Sequence, residues 1–132
     1  ILDTMSDIED LFSIFDDPKD KLAQLMDIAK EFDGIPTNEK TEEAKVPGCA
    51  SQAWIIGKKI KDIYVFNCDS DALIVKGLLS LLCKIFSGQN AKEIHSVNYS
   101  KILEIVGLLG SISVQRTNGF AEAVDKIHKI AV

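Results

Sequence analysis

The sequence has few of the residues on which most site chemistry depends. Its 132 residues include three cysteines, two histidines and a single arginine, Arg116. A small, odd number of cysteines argues against a secreted disulfide scaffold and favours a reducing compartment. The glycine patterns GxGxxG and GxxxxGK[ST] of nucleotide-binding loops are missing, as is the GxSxG pattern of serine hydrolases. The usual sequence support for those activities is therefore absent.

Long apolar runs and a positive charge are missing as well. The most apolar stretch, Leu73 to Phe86, is interrupted by two lysines and a serine, and it is shorter than the ~18 residues typical of a membrane-spanning helix. Twenty acidic against fifteen basic residues give a net charge of −5, whereas a nucleic-acid binder usually needs a basic face. We therefore expect neither a nucleic-acid nor a membrane partner.

What is present is the composition of one globular domain. Hydrophobic residues make up 46% of the chain and charged residues 27%. We expect a single domain over residues 6–132, with residues 1–4 a cloning remnant or a trimmed upstream segment.

Hydrophobic periodicity predicts an α+β fold with two helices, a small antiparallel sheet and about four helices packed on it. Ser6 is expected to cap the first helix and Ser70 the central one. The helices are predicted over residues 6–15, 19–32 and 71–86, from 90, from 99 and through 120–131, and the strands over 53–60 and 63–66.

Cys49 is the candidate nucleophile because it lies in a loop. The preceding loop, Gly34 to Gly48, contains five charges between Thr37 and Lys45, and the composition turns apolar after Pro47-Gly48. Functional residues concentrate in loops that a rigid scaffold holds. A free thiol is only slightly ionised at neutral pH, so a reactive Cys49 needs a cationic neighbour such as Lys45 or Arg116.

The other two cysteines leave alternatives open. Cys83 lies in the most apolar helix and is expected in the core, whereas Cys68 is a core residue, a second redox thiol or incidental. A metal site shared by Cys49, Cys68, Cys83 and a histidine is a further alternative. The chain has no CxxC motif and its cysteine spacing follows no zinc pattern, so we expect no metal.

Three segments resemble the SufE-type sulfur-acceptor family. Val46 to Trp54 is similar to the pattern V-x-G-C-x-S-x-V-W, with Ala53 in place of valine. Asp69 to Leu78 resembles D-S-D-A-x-I-V-K-G-L, and Arg116 to Phe120 resembles R-x-N-G-L. A looser similarity covers Phe32 to Pro36. The segments follow the family's order and cover about residues 8 to 131.

The resemblance implies a sulfur acceptor and carrier for iron–sulfur cluster assembly. In that family a PLP-dependent cysteine desulfurase of the SufS type passes persulfide sulfur to the acceptor cysteine, here Cys49. The acceptor stimulates the desulfurase and hands the sulfur to an iron–sulfur scaffold. By the same resemblance Ser51, Gln52, Asp71 and Arg116 position the loop or bind the partner. A structural role for Arg116, as an anchor at the start of a helix, is an open alternative.

The resemblance also implies a three-stranded sheet of the SufE/NifU type, no bound cofactor, and a cytoplasmic location, or an organelle if a transit peptide has been removed. The chain would then be a non-autonomous sulfurtransferase-like partner rather than a complete enzyme. Two departures stand out. Ser111 and Val114 replace a histidine and a proline in the family's H-L-S-P-x-R, and Cys68 replaces a small residue, which opens a resolving-thiol or disulfide role with Cys49.

Two other functions remain open at this point. An IscU-like cluster scaffold would need three well-placed cysteines and an acidic residue. A purely allosteric desulfurase activator would not need Cys49 at all.

Overall fold

The computed structural model describes residues 1–48 and 51–132, which form six helices and two strands. The predicted order of two helices, a sheet and four helices is confirmed. The helices are α1 Leu2–Ser13, α2 Pro18–Ala29, α3 Leu73–Phe86, α4 Ala91–His95, α5 Tyr99–Ile105 and α6 Val114–Ile130, and the strands are β1 Ala53–Ile60 and β2 Ile63–Ser70.

The first helix begins earlier than predicted. The expected cap, Ser6, lies inside α1, which begins at Leu2. The reason is that Met5 belongs to the same buried stripe as Ile8 and Phe12, so the amphipathic pattern extends upstream of Ser6. The second helix begins as expected, since Pro18 occupies its first turn and the Asp17 side chain accepts from the Lys19 N–H.

The sheet is a two-stranded antiparallel hairpin joined by a turn at Lys61-Asp62. Its register pairs Ala53 with Ser70 and Ile60 with Ile63. Within residues 1–48 and 51–132 the sheet has two strands rather than the three implied by the resemblance. Residues 44–46 run along the other edge of β1 but form only an isolated bridge there, between Lys45 and Trp54.

Helix α3 is the centre of the core. Most of its side chains are buried, and it packs on α2, β2 and α6. It starts at Leu73 rather than Asp71, and its N-cap is Ala72, without a side-chain cap. Ser70, the predicted cap, is instead the last residue of β2, and its hydroxyl donates to the Gln52 carbonyl.

The C-terminal helices begin at side-chain caps. Asn90, Asn98 and Ser113 each accept a backbone N–H in the first turn of α4, α5 and α6. Within residues 1–48 and 51–132, none of the helices combines the length and the apolar character that crossing a membrane requires.

The sheet has two differently covered faces. The face that carries Ile55, Phe66 and Cys68 packs on the core, whereas Trp54 belongs to a small separate cluster with Ile35 and Ala44. The segment between α2 and β1, residues 33–46, thus covers part of the outer face. We call this segment the strap.

Candidate functional site

The described residues on both sides of Cys49 meet as a hairpin stem. Cys49 itself, and Ala50, lie outside the described residues. The Val46 N–H donates to the Ala53 carbonyl at 2.8 Å, and the Ile55 N–H donates to the Ala44 carbonyl at 2.9 Å. Backbone hydrogen bonds therefore join residues 44–46 to residues 53–55, upstream and downstream of Cys49.

Gln52, at the downstream end of this loop, is held by the end of β2. Its N–H donates to Asp71 Oδ1 at 3.1 Å, and its carbonyl accepts from the Asp71 N–H at 3.1 Å. The same carbonyl accepts from the Ser70 hydroxyl at 2.8 Å. Two of the predicted site residues, Gln52 and Asp71, are thus in direct contact, and Ser70 joins them.

An apolar cavity of about 360 Å³ opens beside the loop. It lies between the first halves of α3 and α6, and Ser51 and Arg116 both line it. The other lining residues are Ala72, Val75, Leu78, Leu79, Ser113, Gln115, Gly119 and Phe120. The structure therefore brings two further predicted residues to one cavity at the edge of the Cys49 loop.

Arg116 gives this cavity a permanent positive charge. It is half-buried in the first turn of α6, where its N–H donates to the Ser113 hydroxyl at 3.2 Å. An arginine side chain stays protonated at any physiological pH, and a helix N-terminus also favours anions. A small anionic group with an apolar surface would suit such a lining, because the walls exclude water and the guanidinium supplies the counter-charge.

Cys68 and Cys83 lie together in the core, away from the solvent. Both are free thiols, and their exposed fractions are 0% and 1%. Their mutual hydrogen bond lowers the pKa of Cys68, against the effect of burial, and together with burial it raises the pKa of Cys83 well above its usual range. Ser80 completes the group, with its hydroxyl 3.6 Å from the Cys68 sulfur.

This arrangement gives both cysteines a place in the core. The core position predicted for Cys83 is confirmed, and Cys68 also has a core position on the inner face of the sheet. A pairing of Cys68 with Cys49 falls on residues outside the described ones.

Sequence reasoning missed Asp69. Its carboxylate accepts from the Ile35 N–H at 3.2 Å and pairs with Lys40 at 3.1 Å. The available signal was the period of two along β2, which places Asp69 on the face opposite Cys68, where the strap crosses the sheet.

Comparisons with known proteins agree with the geometry. Residues 6–131 match the family model described as SufE, the Fe-S metabolism associated domain. The chain is 33% identical over 128 residues to an uncharacterised SufE-like protein of Rhizobium meliloti, which covers 94% of this chain and 91% of that protein. The chain belongs to the SufE family.

Two other comparisons are more distant. The sulfur acceptor protein CsdE of Escherichia coli is 27% identical over 104 residues, covering 76% of this chain and 69% of CsdE. The solution structure of a hypothetical protein from Thermus thermophilus superposes with a TM-score of 0.77 at 16% identity, covering 96% of this chain and 91% of that one. That likeness shows the α+β fold.

The departures from the SufE-family pattern have a local structural explanation. In H-L-S-P-x-R the serine and proline correspond to Ser113 and Val114, which are the N-cap and the first residue of α6. Proline favours the first helical position but is not required there when a serine supplies the cap. Helix α6 therefore begins at Val114 without the proline, and Arg116 in its first turn lines the cavity.

Proposed function

We propose that this chain is a sulfur acceptor and carrier of iron–sulfur metabolism, with Cys49 as the acceptor. The observation that carries the proposal is the apolar cavity lined by Ser51 and Arg116, beside the hydrogen-bonded residues that flank Cys49, in a chain of the SufE family. The name of CsdE, a sulfur acceptor protein, supports the same role. The name "Cysteine desulfuration protein SufE" of a Plasmodium falciparum relative, 27% identical over 115 residues, supports a cysteine desulfurase as the sulfur source.

The transfer we propose is a thiol–persulfide exchange. The Cys49 thiolate attacks the outer sulfur of a persulfide on the desulfurase, and a new sulfur–sulfur bond forms at Cys49 while the bond on the enzyme breaks. The enzyme's own cysteine leaves as a thiolate. The reaction is balanced without an oxidant or a reductant. The pyridoxal phosphate of the desulfurase supplies the chemistry that releases sulfur from free cysteine.

The cavity and the loop contacts support a division of roles. Arg116 stabilises the anionic form of the thiol or the persulfide, because a cation in an apolar setting favours the negative charge. Ser51 lines the cavity next to the loop, while the hydrogen bond between Gln52 and Asp71 fixes the downstream end of the loop. Water exclusion by the apolar lining protects the bound sulfur until a scaffold protein takes it.

The partners follow from this chemistry. The desulfurase, which the carrier stimulates, supplies the sulfur, and an iron–sulfur scaffold protein receives it. A reducing compartment, the cytoplasm or an organelle, keeps Cys49 a thiol. The chain is then a non-autonomous sulfurtransferase partner.

The experiment is the intact mass of the protein after incubation with a cysteine desulfurase and free cysteine. Wild type should gain one sulfur, about 32 Da, on Cys49. Cys49→Ser should gain none, and the matched variant Cys83→Ser should gain the same mass as wild type. Normal sulfur uptake by Cys49→Ser would refute the assignment.

The same variants separate the carrier from an allosteric activator. If Cys49→Ala stimulates the desulfurase as strongly as wild type does, the protein acts by binding alone. The proposal requires that the stimulation is lost with the thiol, because the added sulfur acceptor is what accelerates turnover.

A further inference from the structure

Asp69 is the central anchor of the strap, the segment that leads to Cys49. It lies at the end of β2 with its side chain only 15% exposed. Its carboxylate accepts from the Ile35 N–H at 3.2 Å and from the Ser70 N–H at 2.9 Å. One side chain thus joins the beginning of the strap to the strand that holds the other end of the Cys49 loop.

Gly34 brings the strap directly over this carboxylate. It has a left-handed backbone with φ +86°, and a Cβ placed on it would lie 2.5 Å from Asp69 Oδ2. Any other residue would be strained and would displace the carboxylate. Asn67 adds a second anchor, since its side-chain amide donates to the Gly34 carbonyl at 3.1 Å.

Lys40 fastens the middle of the strap to the same carboxylate. Its ammonium is 3.1 Å from Asp69 Oδ2 and 4.9 Å from the centre of the Trp54 ring, and it is 29% exposed. Partial burial alone would raise the pKa of Asp69, but the Ile35 N–H, Lys40 and the Ser70 N–H hold it below its usual range. The carboxylate is therefore ionised at neutral pH and engaged on several sides.

The strap ends in the upstream half of the loop stem. After Lys40 it reaches Ala44 and Val46, which form the backbone hydrogen bonds to β1 that close the loop. A displacement of the strap therefore displaces the upstream end of the loop that carries Cys49. The downstream half is held separately by Asp71 and Ser70.

We infer that Asp69 is a positioning residue for sulfur transfer, which acts through the strap on the upstream end of the Cys49 loop. The inference rests on the proposed function. Transfer between two proteins requires the attacking thiolate to be aligned with the partner's sulfur–sulfur bond. A small reagent that diffuses freely has no such requirement, and this difference makes the role testable.

The test compares Asp69→Asn with Asp62→Asn, a matched loss of charge in the exposed hairpin turn. Asparagine keeps the size of the side chain but loses the charge that holds Lys40. The measurements are hydrogen exchange of the strap amides, the rate of Cys49 alkylation by iodoacetamide, and the rate of sulfur uptake from a desulfurase at several carrier concentrations.

For Asp69→Asn we expect faster exchange at Ile35 and through the strap, and kcat/KM for sulfur uptake lower by about tenfold. Alkylation should stay within about twofold of wild type, because that reaction is not oriented by a partner. Lys40→Met should show a smaller loss of uptake and Lys40→Arg should retain it. Asp62→Asn should match wild type throughout.

The outcomes separate the inference from the proposed function. Equal sulfur uptake by wild type and Asp69→Asn would overturn the positioning role and leave the carrier function standing. An equal fall in alkylation and uptake would also overturn it, since that result indicates a less reactive thiol rather than a misoriented one. No sulfur uptake by wild type would overturn the proposed function itself.

Discussion

At Gly77 helices α2 and α3 approach each other closely, and the sign of the stability change on substituting this glycine tests that packing. A Cβ placed on Gly77 would lie 2.7 Å from the carbonyl carbon of Leu25, closer still to its oxygen, and 3.0 Å from the Leu25 Cβ. Two carbon atoms in ordinary van der Waals contact lie about 0.7 Å farther apart than this 2.7 Å distance. An alanine at this position therefore forces the two helices apart.

Two effects of Gly77→Ala oppose each other. Intrinsic helix propensity favours alanine over glycine by about 1 kcal/mol. Overpacking a core costs about 1–3 kcal/mol, and the upper end applies here because the obstructing group is backbone, which has no alternative rotamer. We expect a net loss of about 2 kcal/mol in the free energy of unfolding, which for a domain of this size lowers Tm by about 6–10 °C.

The assay is urea unfolding followed by circular dichroism, with the series Gly77→Ala and Gly77→Leu. The control series is Gly107→Ala and Gly107→Leu. Gly107 has φ +77° and no atom within 4 Å of its would-be Cβ, so both substitutions there should cost about the same, on the order of 1 kcal/mol for backbone strain. At Gly77 the loss should grow with side-chain size. A stability increase in Gly77→Ala would refute the close approach of α2 and α3.

Three further predictions concern the thiols, the strap anchor and the helix that carries Arg116. In the native protein a thiol reagent should leave Cys68 and Cys83 unmodified, since both are buried. Two additional equivalents of the reagent should react only after unfolding. Labelling of either cysteine in the native protein would contradict the core described above. The lowered pKa of Asp69 contributes stability that is present above the pKa of an unfolded aspartate, near 4, and is lost as the pH falls through the folded value. The stability difference between wild type and Asp69→Asn, about 1–2 kcal/mol at pH 7 for a charge-assisted contact, should therefore shrink below pH ~4 in denaturant titrations, and a constant difference would contradict the anchor. Ser113→Ala should lower the free energy of unfolding by about 1 kcal/mol in thermal unfolding, because it removes the N-cap of α6. Ser113→Asp should keep the cap and the stability. Equal stability of all three proteins would show that the cap is unimportant.

Local features of the fold are predictable from the sequence because they depend on neighbouring residues. The amphipathic stripes of α2 and α6 and the cap at Asn90 are set within one or two turns. The start of α3 is not predictable in the same way. Ser70 has the right chemistry for a helix cap, but it is the last residue of β2. Its hydroxyl donates to the Gln52 carbonyl, 18 residues away, and accepts from the Ala72 N–H, which precedes α3.

The candidate site likewise has residues that the sequence predicts and contacts that it does not. Loop position and family resemblance single out Cys49, Ser51, Gln52, Asp71 and Arg116, and the described ones meet around one loop and one cavity. Composition predicts only a solvated loop for the strap, because it does not show which of the several charged residues forms an ion pair. That Lys40 pairs with a residue 29 positions away depends on the sheet register, which composition does not reveal.

The segment from Asp69 to Gly77 connects these observations, because it fixes the chain on both sides of the Cys49 loop. Asp69 holds the strap, Ser70 and Asp71 hold Gln52, and Gly77 packs closely against Leu25 of α2. In between, the Lys76 ammonium donates to the Phe32 carbonyl at 2.7 Å, where the chain passes from α2 into the strap.

Both ends of the Cys49 loop are thus attached to one continuous segment, which runs from the end of β2 into α3. Both of these elements contribute residues to the core. A loop that must present a thiolate to another protein gains orientation when its ends are held by groups that take no part in the chemistry. The contacts of Asp69, Ser70 and Asp71 lie at the edge of the core and contribute little to its apolar burial. Removing any one of them should therefore lower the rate of sulfur transfer while the protein stays folded.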